Sequence, residues 1–281
     1  MRKIYLMLFI ALAVAFTACN NNDTSVDVPF KYTHIDSLIM NANQGDADAQ
    51  VELAKCYDSG KGVKQDKAEA RGWYKKASEQ GNKEAIEFFD NFYKNSRTAA
   101  DNGDAEAQCN IGICYTNGYG IEKDSIEAVK WFRKAAEQGN AEAQRRIGYC
   151  YIDGDGVEKD SIEAMKWFRK AADQGNVQAQ VELGSLYEDG NGVKQDYAEA
   201  AKWFRKAADQ GDAWAQRRIG RLYEKGRGVK KDYAEAAKWY RKAAEQGESG
   251  EQDLLGYLYT IGKGVKQDYT EAAKWYRKAA E

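Results

Sequence analysis

Five tryptophans recur at an interval of 36 residues along the chain: Trp131, Trp167, Trp203, Trp239 and Trp275. Each lies in a near-copy of the segment A-x-K-W-[FY]-R-K-A-A. A repeat of this length is typical of a solenoid, in which every unit is one supersecondary motif that completes its hydrophobic core only against its neighbours. The period constrains the fold more strongly than any single residue does.

One unit shows how the repeat is expected to fold. Gly139 can end one helix in the left-handed conformation, and Asn140 can cap the next. The pattern predicts a first helix over about 141–152, a glycine-rich loop at 153–157, and a second helix that begins at Asp160. We therefore predict an all-α fold, an α-solenoid (right-handed superhelix) of stacked antiparallel helix hairpins with a 36-residue period.

The repeats share the pattern D-x-x-E-A-x-K-W-[FY]-R-K-A-A-[ED]-Q-G-[ND]-A-x-A-Q-x-x-[IL]-G-x-x-Y-x-x-G-x-G-V. This pattern resembles the SEL-one-like repeat (SLR) family, which is related to the tetratricopeptide repeats. The resemblance covers residues 45–281 and predicts six full units. The full units begin at Gly45, Gly103, Gly139, Gly175, Gly211 and Gly247.

One further unit is shortened. Trp73 and Trp131 are 58 residues apart, which is one period plus 22 residues, so a shortened unit spans about 81–102. Asn95 stands where the tryptophan is expected. We favour a stub of the second helix after a turn near Asn95. The alternative is one long helix over 85–101, which would reverse the direction of every helix that follows.

Both ends of the repeat array are expected to be closed. Residues 34–44 align with the end of a second helix and are predicted to form an N-terminal capping helix. In the last unit Glu251 replaces the alanine of other units, such as Ala143 and Ala215. A polar residue suits a terminal repeat, so we expect Glu251 to face solvent.

The first 18 residues are typical of an export signal. Two basic residues precede an apolar stretch over 4–16, which is short for a membrane span. The segment F-T-A-C that ends at Cys19 resembles the lipobox of bacterial lipoproteins, and this implies that Cys19 is lipidated; the alternative is an ordinary signal peptide that contains a cysteine. We expect a lipoprotein signal peptide (1–18), a flexible tether (19–33), and a lipid-anchored protein in the cell envelope of a bacterium, facing the periplasm or on the cell surface.

Composition and residue types argue against catalysis. His34 is the only histidine, so a Ser-His-Asp or Cys-His arrangement is not available within the repeats. The net charge of −2 does not indicate a nucleic-acid partner. We predict no enzyme activity, no cofactor and no metal site. The cysteines other than Cys19 are expected to be core thiols rather than disulfides: Cys56, Cys109, Cys114 and Cys150.

Candidate binding residues are those that differ between repeats. After the segment A-x-A-Q, two units carry paired arginines, which could bind carboxylates on a partner. By analogy with tetratricopeptide solenoids the first helix lines the concave face. The alternative for the arginines is solvated surface or salt bridges between repeats, and for the unusual tryptophan it is local packing. The candidates are Arg145, Arg146, Arg217, Arg218 and Trp214. The periodic tryptophans, in contrast, are expected to be core residues rather than ligand-stacking ones.

These features predict a non-enzymatic, membrane-tethered repeat scaffold that binds a protein or peptide in the cell envelope. A first alternative is a peptidoglycan-binding or β-lactamase-like cell-wall protein, by analogy with cysteine-rich SLR relatives. The second-helix cysteines of those relatives and an S-x-x-K motif are both missing from this sequence. A second alternative is a secreted effector that binds host proteins.

Overall fold

The computed structural model describes residues 34–280. The predicted signal peptide, Cys19 and the tether lie outside the described residues. Residues 34–280 form fourteen α-helices and no β-strand, so the predicted all-α fold is confirmed. The helices are α1 (His34–Asn43), α2 (Ala47–Ser59), α3 (Lys67–Glu79), α4 (Lys83–Asp101), α5 (Ala105–Asn117), α6 (Ser125–Glu137), α7 (Ala141–Asp153), α8 (Ser161–Asp173), α9 (Val177–Asp189), α10 (Tyr197–Asp209), α11 (Ala213–Lys225), α12 (Tyr233–Glu245), α13 (Ser249–Ile261) and α14 (Tyr269–Ala280).

The described residues divide into two compact units. The first, residues 34–88, contains α1, the hairpin of α2 and α3, and the beginning of α4. The second, residues 89–280, contains the rest of α4 and the five hairpins from α5/α6 to α13/α14. In the second unit, the second helix of each hairpin packs against the first helix of the next. This unit is a stack of hairpins, whose first and second helices we call A helices and B helices.

Capping residues fix where the helices begin and end. Asp196 accepts hydrogen bonds from the amides of Ala198 and Glu199 at 2.8 and 3.0 Å and so starts the B helix α10. Asn176 caps the A helix α9 in the same way. Gly190 ends α9 with φ at 73°, a left-handed conformation that residues with a Cβ rarely adopt. The repeated Asp and Asn residues before the helices and the repeated Gly residues after the A helices are helix boundaries.

The five periodic tryptophans lie in the core, as the sequence predicts, and so does Trp73 of the first unit. Their exposed fractions are between 2 and 7 %. In each case the lysine three residues later places its ammonium group 3.6–4.3 Å from the centroid of the indole ring. Such a contact adds a cation–π attraction to the hydrophobic packing. The six residues are Trp73, Trp131, Trp167, Trp203, Trp239 and Trp275.

A glycine in each A helix of the second unit lets the two helices of a hairpin approach closely. At Gly148 of α7, a Cβ would lie 2.7 Å from the ring of Phe168 in α8. Gly148 therefore has no room for a side chain, and the close approach of α7 to α8 requires a glycine at this position. The same relation is found at Gly112, Gly184, Gly220 and Gly256.

A buried glutamine joins each hairpin to the one before it. In α9, Gln180 is 4 % exposed, and its Nε2 donates to the Ala172 carbonyl of α8 at 3.1 Å. Its Oε1 accepts from Nε2 of Gln210, which follows α10, at 2.9 Å. We call this pair of hydrogen bonds the glutamine staple. It is repeated at Gln50, Gln108, Gln144 and Gln216.

Replacing Gln180 with methionine is expected to lower the free energy of unfolding by about 1.5 kcal/mol, because two partly buried hydrogen bonds are lost. The Ala172 carbonyl keeps a bond from the Gly175 amide, which limits the loss. Urea denaturation measures the effect. Gln178→Met, two residues earlier on the exposed side of α9, is the matched control and should change stability by less than about 0.5 kcal/mol. Equal effects of the two substitutions would show that the glutamine staple does not stabilise the fold.

The shortened unit differs from the favoured prediction. α4 is one helix of 19 residues that runs through Asn95, so the predicted turn and helix stub are wrong. Its segment contains neither glycine nor proline, and without a residue that stops the helix the backbone bonding continues. Within the second unit, Phe89 of α4 stacks on Tyr119 at 3.9 Å between ring centroids, and Arg97 lies 5.1 Å from the Trp131 ring.

Glu251 also differs from the prediction. It is 4 % exposed, so the expectation that it faces solvent is wrong. It occupies the position of the buried alanines Ala143 and Ala215, and its carboxylate lies 2.9 Å from Nε of Arg217 in α11. This position packs toward the preceding A helix, where the arginine balances the buried charge.

Candidate partner-binding face

The A helices α7, α9, α11 and α13 lie side by side in the second unit and carry the residues that differ most between repeats. Each is joined to the next by a polar side-chain contact. These contacts are Tyr149–Glu182 (2.6 Å), Arg218–Glu188 and Arg217–Glu251 (2.9 Å). We call the exposed side of these four helices the A-helix face. It is continuous across repeats, and its polar contacts hold the helices in register.

Arg145 and Arg146 share one carboxylate on α7. Arg145 donates to both oxygens of Glu142, from Nε at 2.9 Å and from Nη2 at 2.6 Å, and Nε of Arg146 donates to the same group at 2.7 Å. Burial raises the pKa of Glu142, but the hydrogen bonds and charges of the two guanidinium groups outweigh it and hold the pKa below its usual range. Both arginines are paired within their own helix. Their role in partner binding stays a prediction.

Arg217 and Arg218 form the salt bridges between repeats that the sequence left as an alternative. Arg218 of α11 pairs with Glu188 of α9, and both side chains are mostly buried. Arg217 pairs with the buried Glu251 but is itself 48 % exposed. About half of the Arg217 side chain is consequently open to solvent.

Trp214 is both packed and exposed. Its ring meets the buried Phe204 edge to face, with centroids 5.6 Å apart, and the Arg218 guanidinium lies 4.9 Å from its centroid. The residue is nevertheless 41 % exposed. Two neighbours fix its orientation while much of its surface faces water, which is the arrangement of a preorganised interface anchor.

The sequence analysis did not identify three further residues of this face as candidates for binding. Arg221 and Lys225 of α11 are exposed and have no hydrogen bond or ion pair within residues 34–280. Tyr257 of α13 is 51 % exposed and stands at the position that corresponds to Arg221. A comparison of the repeats one and two turns beyond the paired arginines would have found all three.

The cysteines occupy core or partly buried positions. Cys109 and Cys114 are buried, which confirms their assignment to the core, whereas Cys56 and Cys150 are only partly buried. None of these four residues of the described chain forms a disulfide. Burial raises the pKa of the Cys109 thiol from 9.0 to about 12 and that of Cys150 to about 11.

Stability is expected to fall between pH 9 and about pH 12. The folded protein keeps the Cys109 and Cys150 thiols protonated, whereas the unfolded chain releases these protons near pH 9, so rising pH favours unfolding. Each group contributes a slope of at most about 1.4 kcal/mol per pH unit. Thermal unfolding in reductant at pH 8, 9.5 and 11 measures it. Cys109→Val, which installs the residue found at Val51 and Val181, should give a shallower slope; an unchanged slope would contradict the assignment.

The A-helix face presents two large exposed aromatic side chains, Trp214 and Tyr257, and several guanidinium groups, residue types that are enriched in protein interfaces. Among residues 34–280, no cluster of three or more His, Cys, Asp or Glu side chains is arranged to hold a metal ion. Every helix within that range is too short or too polar to cross a membrane.

Stacked helix hairpins with a variable face on the A helices define a helical-repeat scaffold of the α-solenoid class. The family model of the Sel1 repeat matches residues 47–82, 105–140, 141–176, 177–212, 215–248 and 252–281. The chain belongs to the Sel1 repeat family. Proteins of this family are generally non-enzymatic scaffolds that bind protein partners.

Two solved structures support the assignment. A protective antigen of uropathogenic Escherichia coli that displays an SLR fold is 36 % identical, with a TM-score of 0.66, over 89 % of this chain and 56 % of its own. The chain thus spans little more than half the length of that relative. A Sel1 repeat protein from Oxalobacter formigenes is 33 % identical, with a TM-score of 0.54, over 85 % of this chain and 86 % of its own. No curated protein matches the chain.

Proposed function

We propose that this protein is a non-enzymatic scaffold, tethered to a membrane of the bacterial cell envelope through Cys19, that binds a protein or peptide partner on its A-helix face. Its family supports the scaffold role. The lipobox-like segment that ends at Cys19 supports the tether.

Trp214 is the observation that carries this proposal. In the other units the same position holds a small or polar residue: Asp48, Glu106, Glu142, Gln178 or Gly250. Packing within the repeat does not require a tryptophan there, and exposing a large aromatic surface is unfavourable in water. A partner that covers Trp214 would recover that cost, and tryptophan is among the residues that contribute most to binding energy at interfaces.

Site-specific photo-crosslinking in the source bacterium tests the face. A photoreactive phenylalanine analogue replaces Trp214, and in a matched control it replaces Ile162, a residue of the B helix α8 that is 60 % exposed. We expect a discrete crosslinked protein from position 214 and not from position 162. Crosslinks of equal yield from both positions, or to peptidoglycan fragments instead of a protein, would refute binding on this face.

The tether is tested separately. Metabolic labelling with an alkyne-bearing fatty acid should label the protein, and Cys19→Ala should abolish the label and release the protein from the membrane fraction. An unlabelled, processed protein in the medium would instead support a secreted effector.

A further inference from the structure

The A helix α11 carries a stripe of side chains unlike that of any other A helix in the second unit. Positions spaced by three, four and four residues share one side of a helix. In α11 these positions are Trp214, Arg217, Arg221 and Lys225, one aromatic residue followed by three cations. We call this set the α11 stripe.

The neighbouring A helices hold different residues at the same positions. The corresponding side chains are Glu142, Arg145, Tyr149 and Asp153 in α7, Gln178, Val181, Ser185 and Asp189 in α9, and Gly250, Asp253, Tyr257 and Ile261 in α13. None of these stripes has more than one cation. Arg217 pairs with Glu251 of the next A helix, but the stacking of the hairpins does not require a tryptophan at 214 or cations at 221 and 225, because the other repeats stack without them.

Two of the three cations of the α11 stripe have no ion-pair partner among the described residues. Arg217 is paired with Glu251, but Arg221 and Lys225 are exposed and have no ion pair or hydrogen bond within residues 34–280. At the other end of the stripe, Trp214 is held by Phe204 and Arg218 with 41 % of its surface exposed. Beside the stripe, α13 exposes Tyr257 (51 %) and Ile261 (43 %).

We propose that the α11 stripe binds an acidic protein segment, whose carboxylates pair with Arg221 and Lys225 and whose apolar side chain packs on Trp214. This inference rests on the proposed function and adds the chemistry of the partner. Arginine recognises carboxylates with two parallel hydrogen bonds. A cation without an internal partner can bind a carboxylate without first breaking an ion pair. A basic segment would meet like charges on this stripe, which disfavours it.

Fluorescence anisotropy tests the proposal with the full chain, purified in detergent. The probe is a fluorescein-labelled peptide of twelve residues with eight Glu or Asp, three Leu and one Phe. A matched peptide has Gln and Asn in place of the acids. We expect the acidic peptide to bind, and its affinity to fall at least about tenfold for the matched peptide and between 50 and 500 mM salt.

Charge-reversal variants locate the site. Arg221→Glu and Lys225→Glu remove exposed, unpaired cations, so folding should be preserved, and each should weaken binding about tenfold. Lys230→Glu makes the same charge change in the loop before α12 and should leave the affinity unchanged. Absence of binding by the acidic peptide, or equal losses for Arg221→Glu and Lys230→Glu, would overturn the proposal.

The two hypotheses fail in different ways. If the protein crosslinked through position 214 contacts α11 with a neutral or basic segment, the acidic partner is refuted while the scaffold function stands. If position 214 gives no specific crosslink, the proposed function itself is refuted.

Discussion

Replacing Gly184 with alanine is expected to lower the free energy of unfolding by about 3 kcal/mol. A Cβ at this position would lie 2.4 Å from Cε1 and 2.5 Å from Cδ1 of Phe204. Phe204 of α10 is completely buried, so its ring has little space into which to move. The overpacking outweighs the gain of about 1 kcal/mol that alanine normally brings to a helix interior.

The matched control is Gly72→Ala in α3, because nothing apart from the adjacent residues and the nearby backbone of its own helix lies within 4 Å of the Cβ position at that glycine. At Gly72 alanine causes no overpacking, so its higher helix propensity should raise the free energy of unfolding by up to about 1 kcal/mol. Urea denaturation of both variants gives the comparison. A Gly184→Ala protein at least as stable as the unmodified one would show that α9 and α10 are not in close contact.

Removing one or the other partner of the Arg217–Glu251 ion pair is expected to change the free energy of unfolding by different amounts, because only Glu251 is buried. Arg217→Ala should lower the free energy of unfolding by about 3 kcal/mol, because it leaves a buried carboxylate without its cation. Glu251→Ala should be neutral or stabilising, since it restores the alanine found at Ala143 and Ala215 and leaves Arg217 in contact with water.

The double variant separates this explanation from a simple loss of packing. Once Glu251 is alanine, removing Arg217 should cost less than about 0.5 kcal/mol. Denaturation of the four proteins in a double-mutant cycle measures the coupling. If Arg217→Ala costs the same in both backgrounds, its effect comes from the packing of its aliphatic chain and not from Glu251.

The sequence predicts correctly those parts of the fold that depend on a few adjacent residues and that recur in every repeat. Asp196 caps a helix with its own neighbouring amides, and Gly190 ends one through its own φ angle, so both can be identified from a short segment. The length of α4 was mispredicted, because the helix continues wherever no glycine or proline ends it, and its segment contains neither. The position of Asn95 relative to the repeat suggested a turn, but no glycine enforces one.

The candidate face was predicted in part. The arginines and Trp214 stand out when repeats are compared in register. Their partners do not, because Glu188 and Glu251 belong to neighbouring hairpins and their distances depend on how the A helices lie side by side. Polarity alone was misleading for Glu251, since a charged residue can occupy a buried position when an adjacent helix supplies the opposite charge.

The glutamine staple has a consequence for how such a chain changes in evolution. Equivalent residues make the staple in each hairpin from α5/α6 to α11/α12, so each of these hairpins presents the same donors and acceptors to whichever element precedes it. Deletion of residues 177–212 would bring Gln216 to the Ala172 carbonyl that Gln180 now occupies. Gain or loss of one genetic segment of 36 codons therefore preserves the staple at the new junction, and selection can vary the number of units without rebuilding these hydrogen bonds.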